Sequence, residues 1–186
     1  MAIPSPTVRG VVVLGTLDWV RHTHGERSLE RVLADVAEPG RTLLTGRSLI
    51  QTTRVPARTF RQLSDGIIEA HGLQGETGFH AAAASVAEAD LSGYMRMLVS
   101  IGSPKFVVGR FPRVWKHYFD TGQLVVTPVE SGADVQVSGA AEYGAAALEG
   151  AVGWMRAALR ISRAKGPQVS RLGTGSAPAQ YRVRWQ

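Results

Sequence analysis

The sequence predicts an α+β fold: helices packed on a small antiparallel sheet, in one domain spanning residues 1–186. Three observations carry this. Helical spacing of apolar residues dominates the first two thirds of the chain. The period then switches to two in a hairpin pattern after Gly122. A long helix and a final alternating strand close the chain, so strands and helices are segregated rather than interleaved as in a parallel α/β sheet.

Taken in order, Val8 to Gly15 (VRGVVVLG) is short, β-branched and ended by glycine, and reads as a buried strand. Thr16 then caps a short helix carrying Trp19 and Val20. Leu29, Val32, Leu33 and Val36 fall at i, i+3, i+4 and i+7, one face of a helix that Pro39-Gly40 ends. Arg47 to Val55 reads as either extended chain or loop. Pro56 suits the first turn of a helix whose apolar row is Phe60, Leu63 and Ile67, with Gly72 closing it. A helical pattern resumes from Thr77 with Phe79, Ala83 and Val86, and continues through Leu91, Tyr94, Leu98 and Ile101. Ser103-Pro104 is a helix start, since Ser accepts from free amides and Pro tolerates the first turn. Pro112 restarts the helix, with Val114, Trp115, Tyr118 and Phe119 on its buried side.

QLVVTPV and ADVQVSG, separated by Glu-Ser-Gly, form a hairpin with one wet face. The clearest helix runs from about Glu142 to Arg163, with Leu148, Val152, Met155 and Leu159 in helical register and its arginines late, as the helix dipole favours. Gly166-Pro167 stops it. A turn, GTGSAP, leads to a last strand with Tyr181, Val183 and Trp185 on one face.

Composition narrows the function classes. A hydrophobic fraction of 44% supports a real core. No run of eighteen apolar residues exists, so no membrane span is expected. The N-terminus lacks the pattern of a signal peptide, and a cytoplasmic location is the expectation. The absence of cysteine excludes disulfides, thiolate zinc sites and thiol nucleophiles. Net charge is +6, concentrated in the second half: residues 91–186 hold twelve basic and five acidic residues. No groove-reading motif accompanies that charge, so nucleic-acid binding is not expected.

The chemical motifs read as structural. Asp120-Thr121-Gly122 is the signature of aspartic proteases, but such enzymes need two facing carboxylates delivered from strands. Here the motif follows the aromatic helix WKHYF, and Gly122 suits the left-handed residue of a helix end. It reads as a helix-to-hairpin corner. His22, His24, His71, His80 and His117 lack metal-ligand spacing and read as structural or surface residues. Gly173-Thr174-Gly175 leads into a strand, so no helix N-terminus could hold a phosphate there. Phe79, Tyr94, Trp115, Phe119 and Trp154 remain as an aromatic set that either fills the core or lines an apolar pocket. Leu91, Leu98 and Ile101 form a candidate face for pairing.

The stretches "VRGVVVLGTLDWVRHTHGERSLERVLADV", "GFHAAAASVAEADLSGYMRMLVSIGSPKFVVGRFPRVWKHYFDTGQLVV" and "YRVRW" resemble the myxobacterial paralogous family of unknown function, about 180 residues long. The resemblance covers nearly the whole chain, with Ser-Pro, the aromatic helix and Asp-Thr-Gly as its most specific part. That family is similar to 4-vinyl reductase domains, haem-nitric-oxide-binding domains and TRAPP vesicle-tethering subunits. It implies the ligand-binding fold of NO signalling and Golgi transport, an interior pocket and a tendency to dimerise. The haem-binding relatives carry a proximal His with Tyr-x-Ser-x-Arg, which none of Tyr94, Tyr118, Tyr143 or Tyr181 begins. Leu172 and Ala179 stand where the reductase-like domains carry cysteines, and the TRAPP acylation cysteine is missing too. No cofactor is therefore expected, and the chain reads as a non-catalytic regulatory or scaffold domain acting through protein partners and as a homodimer. The alternative is a sensor of a small apolar ligand.

Overall fold

The computed structural model describes residues 5–75, 77–90, 102–174 and 178–186. Strand β1 (Thr7–Arg9) runs directly into helix α1 (Gly10–His24), followed by α2 (Glu26–Ala34), α3 (Gly40–Thr45) and β2 (Arg54–Pro56). Then come α4 (Ala57–His71), α5 (Phe79–Asp90), α6 (Pro104–Val108) and α7 (Phe111–Tyr118). The hairpin β3 (Gln123–Val129) and β4 (Gly132–Ser138) follows, then a single 3-10 turn over Ala141–Tyr143, α8 (Gly144–Ile161), β5 (Gln168–Leu172) and β6 (Ala179–Arg184). The α+β class is as the sequence predicts.

The main sheet is antiparallel in the order β3-β4-β6-β5. Alternation sets its register: Val135 faces Tyr181 and Ala133 faces Val183 across β4 and β6. Ala133, Val135, Val137, Tyr181 and Val183 are buried on one face, while Asp134, Gln136 and Arg182 face outward. The Tyr181 hydroxyl donates to the Leu148 carbonyl at 2.6 Å, tying this face to α8.

Strand β1 pairs with β2, not with the main sheet, and Val8 also forms an isolated bridge to Phe119, just ahead of β3. The expected strand over Val8 to Gly15 is thus corrected: only Thr7–Arg9 are extended, and the valine run is helical. Val13, Thr16, Leu17 and Val20, at i, i+3, i+4 and i+7, form the buried stripe of α1. Burial on that stripe outweighs the β preference of the valines. Gly10 makes the entry possible, since a Cβ there would stand 2.0 Å from the Ile50 carbonyl oxygen. Thr16 caps nothing; its hydroxyl donates to the Val12 carbonyl at 2.8 Å within the helix.

Other boundaries shift by less. The α2 helix ends at Ala34, and Gly40 opens α3 rather than closing its predecessor. Arg47 to Val55 is mostly loop, extended from Arg54. Ser103 does cap α6, accepting from the Phe106 amide, with Pro104 first in the helix.

Among the described helices, α5 and α8 share the most extensive contact. Two glycines of α8 permit it. A Cβ on Gly153 would lie 1.9 Å from the His80 carbonyl oxygen, and one on Gly150 would lie 2.5 Å from the Phe79 ring.

Candidate functional site

The close approach of α5 to α8 leaves a cleft on one side of their contact. It is lined by α1 (Val12, Thr16), α4 (Phe60), α5 (Phe79, Ala83, Val86), α7 (Phe111, Val114, Trp115, Tyr118) and α8 (Ala147, Gly150, Ala151, Trp154, Met155), with Phe119 and Leu124 at the corner. Its inner space is about 70 Å³, and its full atom-free volume, open mouth included, about 660 Å³. Four of the five aromatic residues singled out by sequence, Phe79, Trp115, Phe119 and Trp154, line it. The fifth, Tyr94, lies outside the described residues, as do the candidate interface residues Leu91, Leu98 and Ile101.

The walls are rings and small residues. Trp115 stacks on Phe119 with centroids 4.3 Å apart, and Phe119 meets the Tyr143 ring edge-on at 4.7 Å. Phe111 and Tyr118 present edges to Trp154 at 5.5 and 6.0 Å. Ala83, Ala147, Gly150 and Ala151 also line the cleft and carry little or no side chain, and the Phe79 ring packs over Gly150, where a Cβ would stand 2.5 Å from it. Phe111, Trp115 and Tyr118 sit at i, i+4 and i+7 of α7, a spacing that marks a shared face but not that the face borders a cleft. The α8 contribution has no such signal, because alanine and glycine are unremarkable in a helix.

Polar atoms on the lining residues are nearly all engaged internally. Thr16 donates to Val12, as above, and Trp115 Nε1 donates to the Thr121 carbonyl at 3.0 Å. The Tyr118 hydroxyl donates to Asp90 Oδ2. Burial first, then the Asp90 charge and this hydrogen bond, push the Tyr118 pKa far above the ordinary tyrosine value. Trp154 Nε1, buried beside the Tyr118 oxygen, eases that shift.

The remaining candidates are placed elsewhere. Asp120 sits at the corner between α7 and β3, where its carboxylate accepts from the Thr7 amide at 2.8 Å and from the Thr7 hydroxyl. His22 Nδ1 lies 2.7 Å from the Asp18 carbonyl, and His117 contacts the Arg9 guanidinium at 2.9 Å. Burial and the Arg9 charge push the His117 pKa down. His24 and His71, at the ends of α1 and α4, stack with centroids 3.6 Å apart. His80 Nε2 lies 2.9 Å from Glu149 Oε1, whose second oxygen accepts from Arg171 at 3.2 Å. Among the described residues no group of three potential metal ligands converges. Gly173 has φ 83 at the start of the β5–β6 turn, while Gly175 lies outside the described residues. No helix of the described residues is long and apolar enough to cross a membrane.

No protein-family model matches the chain, and no curated protein does. Solved structures do. The Fe(II) unliganded H-NOX protein from K. algicida is 10% identical, with a TM-score of 0.70, over 96% of each chain. A variant of T. Tengcongensis H-NOX is 12% identical, with a TM-score of 0.68, over 96% of this chain and 97% of that one. The IWP-051-bound H-NOX from Shewanella woodyi, in its Fe(II)CO state, is 10% identical, with a TM-score of 0.64, over 95% and 94%. At such identities the likeness speaks for architecture: nearly end to end, this chain is folded as the haem-NO-binding H-NOX domains are.

Proposed function

We propose that this chain is a non-catalytic sensor domain that holds a small apolar ligand in the cleft between α1, α5, α7 and α8. The observation supporting this is the cleft itself, lined by aromatic rings together with alanine and glycine. Its lining is almost wholly apolar, as small-molecule sites mostly are. In this reading the domain regulates a partner, and occupancy is felt by α5 and α8, which both line the cleft. The cleft supports the ligand-binding role; the candidate interface residues of the scaffold role, Leu91, Leu98 and Ile101, lie outside the described residues.

The haem of H-NOX proteins does not fit the residues present. No histidine is among the described lining residues, and His80, the nearest along α5, is held by Glu149. Tyr118 lines the cleft, but burial and Asp90 disfavour the phenolate that a metal would need. Met155 offers a thioether, which serves haem iron beside a histidine partner. The inner space is about half the roughly 150 Å³ of an apolar cavity that takes up benzene. A macrocycle would have to force α5, α7 and α8 apart.

The test is native mass spectrometry of freshly purified protein beside an Ala151→Leu variant. The expected result is an added small-molecule mass on the parent protein that the variant loses, because the larger side chain occupies the cleft. Identical clean masses, with no uptake of added hydrophobic compounds by the parent protein, would overturn the reading.

A further inference from the structure

The outer side of α6 and α7 is strongly cationic. No acidic residue occurs in the sequence between Asp90 and Asp120, and within that stretch Lys105, Arg110, Arg113 and Lys116 are all exposed. On α7, Arg113 and Lys116 fall on the side away from Phe111, Trp115 and Tyr118, the buried residues that line the cleft. Arg110 and Arg113, and again Arg113 and Lys116, are like charges three residues apart, a spacing that costs a helix stability. None of these cations forms an ion pair with a described residue. Arg110 instead lies over the Phe106 ring, 4.7 Å from its centroid. Phe106, 45% exposed, is the one large apolar side chain of α6 and α7 left in solvent. At His117 the excess of charge ends: Arg9 and Arg54 act on that ring with one sign and Asp90 with the other, and Arg54 also acts on Asp120.

We propose that this face docks on an anionic lipid surface, with Phe106 entering the headgroup layer and Lys105, Arg110, Arg113 and Lys116 meeting the anionic headgroups around it. Charge complementarity selects an anionic partner, and the make-up of the face selects a bilayer. A stable protein interface takes roughly 800 Å² from each partner, around an apolar centre depleted of lysine. Here one exposed ring stands alone among lysines and arginines. A lipid surface suits that arrangement: each basic side chain close to an anionic leaflet tightens binding about five-fold, and an inserted ring adds apolar burial. The inference is independent of the ligand-binding reading, although α7 carries both the cleft wall and this face.

The experiment is co-sedimentation of the full chain with vesicles of phosphatidylserine and phosphatidylcholine, mixed at about 3:7, beside vesicles of phosphatidylcholine alone. The expected result is binding to the mixed vesicles only, weakened several-fold as salt rises from about 0.1 M to about 0.5 M. Lys105→Gln, Arg110→Gln, Arg113→Gln and Lys116→Gln together weaken binding by at least about ten-fold. The same loss of charge at other exposed positions, Arg27→Gln, Arg47→Gln, Arg58→Gln and Lys165→Gln, leaves binding within about three-fold of the parent protein. Phe106→Trp adds a fluorescence component that shifts to the blue on the mixed vesicles, and it carries the test if the patch variant folds poorly. Absence of binding to the mixed vesicles, or equal losses in the two charge variants, overturns the inference. Tighter retention by duplex DNA or by polyglutamate than by the vesicles, removed by the patch changes, assigns the face to a nucleic acid or an acidic protein and overturns it as well.

Discussion

The Tyr143 hydroxyl stands 3.2 Å from Asp120 Oδ1 and 3.0 Å from the Thr7 carbonyl, so it joins the helix-to-hairpin corner to the first strand of the chain. The protease-like Asp-Thr-Gly is a latch. Burial raises the Asp120 pKa, but hydrogen bonds from the Thr7 hydroxyl and amide and from Tyr143, with the Arg54 charge, outweigh it and hold the carboxyl below its usual value. A depressed carboxylate pKa contributes stability that is present above the unfolded value of about 3.9 and is lost as pH falls through the folded one.

Asp120→Asn is therefore expected to lower stability at neutral pH by about 1–2 kcal/mol, the scale of a charge-assisted hydrogen bond at a partly exposed site. Urea denaturation at pH 7 and pH 3 checks it. The gap between the parent protein and the variant narrows at pH 3; a gap unchanged by acid would remove the carboxylate from the account.

Gly153→Ala tests the α5–α8 contact. The new methyl meets the backbone of His80 at 1.9 Å, so no side-chain rotation relieves it and one helix must move. The expected loss is about 2–3 kcal/mol, the upper end of ordinary overpacking. Gly150→Ala meets only the Phe79 ring, which can tilt, and costs less. Chemical denaturation of the two variants side by side ranks them.

Glu149 bridges His80 and Arg171, with side-chain exposures of 12% for Glu149 and 4% for Arg171. The His80 hydrogen bond, opposed by burial and aided by Arg171, holds the Glu149 carboxyl below its usual value. Glu149→Ala leaves Arg171 without this partner and is expected to cost about 3 kcal/mol, the scale of breaking one side of a buried pair. Thermal unfolding reads it directly. The contribution is present above the unfolded glutamate pKa of about 4.3 and fades as acid protonates the folded carboxyl.

The stacked His24–His71 pair predicts a second pH response. Burial, then His24 and Arg31, depress the His71 pKa. An imidazole held neutral contributes stability above the unfolded value of about 6.5, and that contribution is lost as pH falls and the unfolded chain takes up the proton. The parent protein is expected to have a lower urea midpoint at pH 5.5 than at pH 7.5, and His71→Gln to flatten part of that slope. A variant with an unchanged slope would place the effect elsewhere.

The sequence by itself determined the α+β class, the hairpin with its wet and dry faces, the long α8 helix, the Ser103-Pro104 helix start and the place of Asp-Thr-Gly at a helix-to-hairpin corner. These follow from local rules: period, turn residues and caps act within a few neighbours. Tertiary structure decided the rest. Val11 to Val13 carry β-branched side chains and read as strand, yet burial of α1 against its neighbours made them helical, because packing a whole face outweighs the small per-residue preference. Phe79, Trp115, Phe119 and Trp154 were legible as an aromatic set, but not as walls of open space. Whether rings fill a core or border a cleft depends on how α1, α5, α7 and α8 come together around them, and nothing in a one-dimensional pattern records what faces what.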